Sequence, residues 1–259
     1  MTTDPAQGHR GHRRWVNYEI LATDPSTKAT CGFVFKDQDI DFKARPDASA
    51  RPDEIEKTLE SRRALKQVET PIGYWSDYLG HVYAIFSRIK GHTLLMEPRT
   101  NFRPLLKAAQ YYGKLFQADI LHQDTGIQHV FVTIRQKVRL FDFEAQVSNP
   151  DPRKKDMDFG LLVATAAGDH RIRTVSQIDQ MIEQFLEGSG IPKNRQTPEE
   201  KNAWKKTILR YLEIHRDKLG LDLSSAHDRA KRFALMRSLV NLNRLIFAMD
   251  PSRRRIRRQ

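Results

Sequence analysis

The chain has 259 residues, 39% hydrophobic and 29% charged, which is enough to bury a core in one large domain or in two lobes. Its formal net charge of +12 points to an anionic partner such as nucleic acid, lipid headgroups or a phosphorylated glycolipid, or else serves solubility alone. No apolar run approaches the ~20 residues of a membrane span, and the segment Met1-Thr2-Thr3-Asp4-Pro5 lacks the apolar core of a signal peptide. The chain is therefore expected in the cytoplasm. One cysteine, Cys31, excludes an intrachain disulfide and a thiolate zinc site, and is expected to be a small buried residue.

Residues 1–14 carry Arg10, Arg13 and Arg14 and read as a disordered basic tail; Arg253, Arg254, Arg255, Arg257 and Arg258 make a second tail over 250–259. Between them, 15–90 is strand-rich. Val16, Tyr18 and Ile20 alternate with polar residues, Cys31–Lys36 and Ile40–Lys43 follow, and the three read as an antiparallel meander. A helix is expected from Pro52 or Asp53 to Val68, on the apolar face Ile55, Leu59 and Leu65, with Pro71 ending it. Two more strands are expected near Ile72–Trp75 and Val82–Phe86, and Gly91-His92 marks a hinge-like break.

From there to residue 249 the chain reads as mainly helical. Phe102, Leu105, Ala109, Tyr112 and Phe116 recur at helical spacing and predict a helix over 102–118. Short strands are expected at Val130–Val132 and Val138–Phe141 around a turn at Arg135-Gln136-Lys137. Helices are then expected at 156–167, 175–187, 198–218 and 226–249, the last burying Phe233, Met236, Leu239, Val240 and Ile246.

Two segments carry the chemistry. In Leu121-His122-Gln123-Asp124-Thr125-Gly126-Ile127-Gln128-His129, an acid follows a His by two residues and a second His lies five further on. In Val138-Arg139-Leu140-Phe141-Asp142-Phe143-Glu144, a strand delivers a second acid. Kinase-fold enzymes place a substrate-facing acid, a metal-side residue and a metal-binding Asp in this order. A carboxylate at the end of a short strand suits magnesium, which takes one or two protein carboxylates and fills its shell from phosphate and water, so Asp142 fits that role. Asp124, in a loop, fits the acid that orients the attacking hydroxyl, and His129 would face the metal side, where a neutral imidazole ligates a cation or hydrogen-bonds a phosphate oxygen.

On these motifs the chain resembles the protein-kinase-like superfamily, and within it the bacterial lipopolysaccharide core kinases that phosphorylate heptose or the 3-deoxy-octulosonic sugar. That group is similar in placing His where protein kinases have Asn, as at His129, and in the continuation Asp142-Phe143-Glu144-Ala145-Gln146 in place of Asp-Phe-Gly. A basic stretch then leads to a Lys-Asp at a helix, matched by Arg153-Lys154-Lys155-Asp156. The resemblance spans about residues 15–170 and is strongest over 119–165.

The resemblance implies an α+β, two-lobed protein-kinase-like fold with a small antiparallel-sheet lobe (15–90) and a larger helical lobe (91–249). It implies an ATP- and Mg2+-dependent phosphotransferase that moves the γ-phosphate to a hydroxyl, most readily on a sugar of lipopolysaccharide core or a related glycolipid. Asp124 would be the catalytic acid, Asp142 the magnesium ligand and His129 the second metal-side residue. His122 would pack under the loop and Asp156 would brace it, or else cap its helix. Lys43 would contact the phosphates, with Lys36 as rival, and pair with Glu60, with Glu56 as the alternative.

Several positions depart from an ordinary protein kinase. Gly32 stands alone where a Gly-rich loop is usual, Gln123 replaces an Arg, and Thr125-Gly126 lacks the usual Lys. A protein or small-molecule kinase, and a pseudokinase that binds nucleotide or a partner without transfer, stay open as alternatives. The basic tails would hold the chain against anionic headgroups at the inner membrane. Nucleic-acid binding through Arg229, Lys231, Arg232 and Arg237 ranks last, because no aromatic interleaving or reading motif accompanies the charge.

Overall fold

The computed structural model describes residues 14–16, 40–43, 60–68, 71–76, 82–87, 91–141, 143 and 146–250. Expectations for Tyr18, Ile20, Cys31, Lys36, Glu56, Asp142 and Glu144, and for residues 1–13 and 251–259 of the two tails, lie outside these residues, whereas Arg14, expected in the basic tail, begins a strand. The chain divides into two units: residues 1–63 with 68–90, and residues 64–67 with 91–259. It is α+β, with small antiparallel sheets and a helical majority. Among the described residues no helix is long and apolar enough to cross a membrane.

The first unit holds strands β1 (Arg14–Val16), β2 (Ile40–Lys43), β3 (Pro71–Ser76) and β4 (Val82–Ser87) in the order β1-β2-β4-β3, all antiparallel. Trp15 faces Asp41, and Phe42 faces Ile85. A register shift between Pro71 and Gly73 follows from the proline, which has no N–H to give to the ladder. The described helical residues before β3 are 60–64, so the helix stops four residues short of the expected Val68. Its continuation is drawn elsewhere. Gln67 O accepts the N–H of Leu140 at 3.2 Å, Arg62 Nη1 donates to Val68 O at 2.8 Å, and Leu65 and Val68 are buried.

The second unit begins with β5 (Gly91–Thr93), which pairs with β7 (Val130–Thr133), and β7 pairs with β8 (Val138–Leu140). The β7–β8 hairpin sets Val130 opposite Leu140 and Val132 opposite Val138, and its turn carries Gln136 at φ 56°. Two-residue strands β6 (Ile120–Leu121) and β9 (Val147–Ser148) form a third small sheet.

Among the described residues this unit holds five α-helices: α1 (Arg103–Gln117), α2 (Met157–Gly168), α3 (Val175–Gly188), α4 (Pro198–Ser225) and α5 (Arg229–Met249). Capping boxes fix the starts of α3 (Thr174 with Gln177) and α4 (Thr197 with Glu200), satisfying N–H groups that have no intrahelical partner. Helix α4 runs seven residues past the expected Lys218, through Gly220, where nothing packs closely enough to interrupt it.

Helices α1 and α3 cross at glycines. A Cβ on Gly113 would run into the carbonyl oxygen of Phe185, and one on Gly188 into that of Gln110. That close approach stacks Phe159 on Phe185 at 4.2 Å between centroids, with Trp204 edge-on at 4.4 Å and Phe116 at 5.4 Å. Aromatic pairs in this geometry add about 1 kcal/mol each beyond their buried area. Beyond α2, the buried Arg171 donates to Leu95 O and Glu97 O at 3.1 and 3.0 Å, and Asn241 of α5 donates to Ala167 O and Ile172 O at 2.7 and 2.9 Å.

The expected buried stripe of α5 is corrected. Ile246 is buried, but Phe233, Met236 and Val240 are 64%, 53% and 69% exposed. The packed line is instead Asn241, Leu242, Leu245 and Ile246, confined to the second half of the helix.

Candidate functional site

The site grows from the segment between β6 and β7. Helix α1 ends at Gln117, Asp119 takes a left-handed φ of 55°, and Asn149 N donates to Asp119 O at 2.8 Å, which brings β6 beside β9. An ion pair between Lys155 and Asp119 closes the same corner. The chain then turns through His122 to Gly126, makes a short 3-10 turn at Ile127–His129, and enters β7.

One buried carboxylate organises this loop. Asp158, on the first turn of α2 and 5% exposed, accepts from His122 N at 2.5 Å, Gln123 N at 3.0 Å and Thr125 Oγ1 at 2.6 Å. Burial pushes the Asp158 carboxyl above its ordinary range; the nearby His122 and the three donors act in the opposite direction. Gln123 is thereby held at φ 67°, a conformation that costs a non-glycine residue about 1 kcal/mol or more and persists only where neighbours over-determine it. Burial, followed by the charge of Asp158, pushes the Tyr112 phenol up, so the ring lines this wall as a neutral group.

His122 is fully buried. Its Nε2–H donates to Phe141 O at 2.9 Å, which assigns the proton to that nitrogen because a carbonyl can only accept. Its ring meets those of Phe143 at 4.4 Å, His129 at 5.8 Å and Tyr112 at 6.1 Å. His129 is 8% exposed, accepts Phe141 N at its carbonyl at 3.3 Å, and has its ring 5.7 Å from that of Phe141. Its Nε2 lies 3.5 Å from Asp124 Oδ2, and the Asp124 side chain is 57% exposed. The loop thus presents one open carboxylate with an imidazole at its flank.

The structure therefore brings Asp124 and His129 together over a buried His122. Asp142 lies outside the described residues, but the residues on either side of it, Phe141 and Phe143, both pack on the histidines. Lys43 ends β2, where its backbone is opposite Ala84, and Glu60 begins the described helical residues; both belong to the first unit. Asp156 does not brace the loop. It holds the N-cap position of α2 without a side-chain capping bond, and its carboxylate instead accepts from Arg210 Nη2 at 2.8 Å and Tyr211 OH at 3.1 Å on α4. Burial, then the Asp156 charge, pushes the Tyr211 phenol up to about 12.

Asp158 is the residue the sequence reading passed over. The signal was present: α2 reads Met157-Asp158-Phe159-Gly160-Leu161-Leu162-Val163, and an acid inside so apolar a helix has to be buried and satisfied.

Among the described residues no three His, Cys, Asp or Glu side chains gather into a cation site. One open carboxylate beside one imidazole fits an ion that takes most of its ligands from phosphate and water. No protein-family model matches the chain, and no curated protein matches it.

Proposed function

We propose that the chain is an ATP-dependent phosphotransferase of the protein-kinase-like kind. Residues 15–90 would form its small lobe and 91–249 its helical lobe, with a glycolipid sugar hydroxyl as acceptor. The observation that carries the proposal is the Asp124 loop, in which a buried acid thirty-odd residues downstream clamps the backbone so that an exposed carboxylate stands 3.5 Å from His129. Phosphoryl transfer asks the protein chiefly for positioning and charge, and a rigidly held acid supplies the first. An antiparallel sheet with helical residues between β2 and β3 also accords with the small lobe that the resemblance implies.

In this reading Asp124 accepts a hydrogen bond from the acceptor hydroxyl and aims its lone pair at the γ-phosphorus, which is why it stays open to solvent. His129 flanks the Asp124 carboxylate, its Nε2 3.5 Å from Oδ2. His122 fixes the carbonyl of Phe141. Asp142 and His129 would hold the magnesium that accompanies ATP, which supplies charge neutralisation at the phosphate oxygens. Lys43, paired with Glu60, would contact the phosphates, as the resemblance implies. The chain would work in the bacterial cytoplasm, peripheral to the inner membrane.

The test is ATP binding with and without magnesium for the wild-type protein and for Asp124→Asn and Asp142→Asn. The proposal expects magnesium-dependent binding that Asp124→Asn spares and Asp142→Asn weakens about tenfold or more. Binding indifferent to magnesium and to Asp142→Asn would instead support a pseudokinase, the reading favoured by Glu144 and by the lone Gly32.

A further inference from the structure

Helix α5 has two apolar faces and only one of them is packed. At about 100° per residue, Asn241, Leu242, Leu245 and Ile246 centre on one side, and Phe233, Met236, Val240 and Phe247 centre about 180° away. This second stripe is exposed along its whole length, from 64% at Phe233 to 41% at Phe247. Its edges are basic. Arg232 flanks it on one side and Arg237 and Arg244 on the other, with the Arg237 guanidinium 6.0 Å from the Phe233 ring centroid. Helix α5 holds five Arg or Lys residues and no Asp or Glu.

We propose that this outer face of α5 is a docking surface for an anionic lipid bilayer, in which Phe233, Met236, Val240 and Phe247 enter the headgroup–acyl boundary and the arginines reach phosphate. The charge pattern selects this occupant. A second copy of the same face would bring Arg232, Arg237 and Arg244 against their own kind, and α5 itself carries no acid to oppose them. The surface is a convex ridge with apolar residues along its crest and long cations at both edges, the arrangement of interfacial helices whose stems snorkel. Reversible interfacial anchors hold when an apolar insertion is joined to a polybasic patch, and Arg253, Arg254, Arg255, Arg257 and Arg258 follow α5 directly in the sequence. The helix face therefore contributes an apolar component that basic tails alone lack, and this surface does not depend on the phosphotransferase reading.

The test is co-sedimentation of the full chain with vesicles of phosphatidylcholine alone or of phosphatidylcholine and phosphatidylglycerol in equal amounts. The proposal expects binding to the anionic vesicles only, a loss of about tenfold in the double variant Phe233→Ser, Val240→Ser, and a loss of about fivefold for Arg237→Gln. All three positions are exposed, so the variants should melt with the wild type. A Val240→Trp variant gives a second reading, because brominated lipid should quench its added fluorescence. Replacing the five tail arginines by Gln should weaken binding while leaving its dependence on Phe233 intact. The proposal is overturned if the double variant binds anionic vesicles as the wild type does and brominated lipid leaves the added fluorescence of the Val240→Trp variant unquenched, since binding would then be charge alone and a nucleic acid would serve as well. It is equally overturned if the wild type ignores anionic vesicles, whether it stays monomeric, pairs with itself or captures an acidic protein.

Discussion

The Asp158 carboxylate accepts the backbone N–H of His122 at 2.5 Å across 36 residues of sequence. This one contact, with those to Gln123 and Thr125, converts a surface loop into a fixed platform for Asp124. Replacing Asp158 by Ala should strand two backbone N–H groups and a hydroxyl in a dry site, costing about 3 kcal/mol in urea unfolding. Thr125→Ala removes one donor and keeps the acceptor, and should cost about 1 kcal/mol.

Asp124 presents the opposite case. Its side chain is open, and its approach to His129 is a solvent-screened pair worth at most about 1 kcal/mol. Asp124→Asn should therefore leave the melting temperature close to that of the wild type while the proposed phosphoryl transfer falls by at least about a hundredfold. A variant that melts much earlier would show that the carboxylate supports the fold instead.

The α1–α3 crossing makes a third prediction. Gly113→Ala improves helix propensity by about 1 kcal/mol, but its methyl would meet a main-chain carbonyl that no rotamer can move aside. The helices must separate and loosen the Phe159–Phe185–Trp204 stack, so net destabilisation of about 1–3 kcal/mol is expected from denaturant titration followed by tryptophan fluorescence.

Acid should act through Glu97. The hydrogen bond from Asn101 Nδ2, at 2.9 Å, is the main force holding this carboxyl below its ordinary 4.5; burial opposes it, and His92, at 2.6 Å, reinforces it. A carboxyl with a lowered folded pKa contributes stability that is fully present above the unfolded value and is lost as pH falls through the folded one. Asn101→Ala should consequently melt below the wild type above pH 4.5, and the two melting curves should converge on further acidification.

What the sequence disclosed and what it hid divide along the range of the interaction. The starts of α3 and α4 were visible because Thr174 with Gln177 and Thr197 with Glu200 act over three residues. The end of the helix before β3 was not visible, because Gln67 O is taken by Leu140 N, seventy-odd residues away. The sequence named Asp124 and His129 but not their approach to 3.5 Å, and it offered Asp156 as a brace or a cap where Asp158 holds the loop. In α5 the expected stripe mixed Ile246 of the packed line with Phe233, Met236 and Val240 of the exposed one, because periodicity carries no information about which apolar line another helix covers.

The proposed phosphoryl transfer is checked by incubating the purified chain with γ-labelled ATP, magnesium and a bacterial membrane extract. Label should enter the glycolipid fraction with the wild type and should be absent with Asp124→Asn or Asp142→Asn. Label in no fraction, with a protein that is folded and binds ATP, would contradict it.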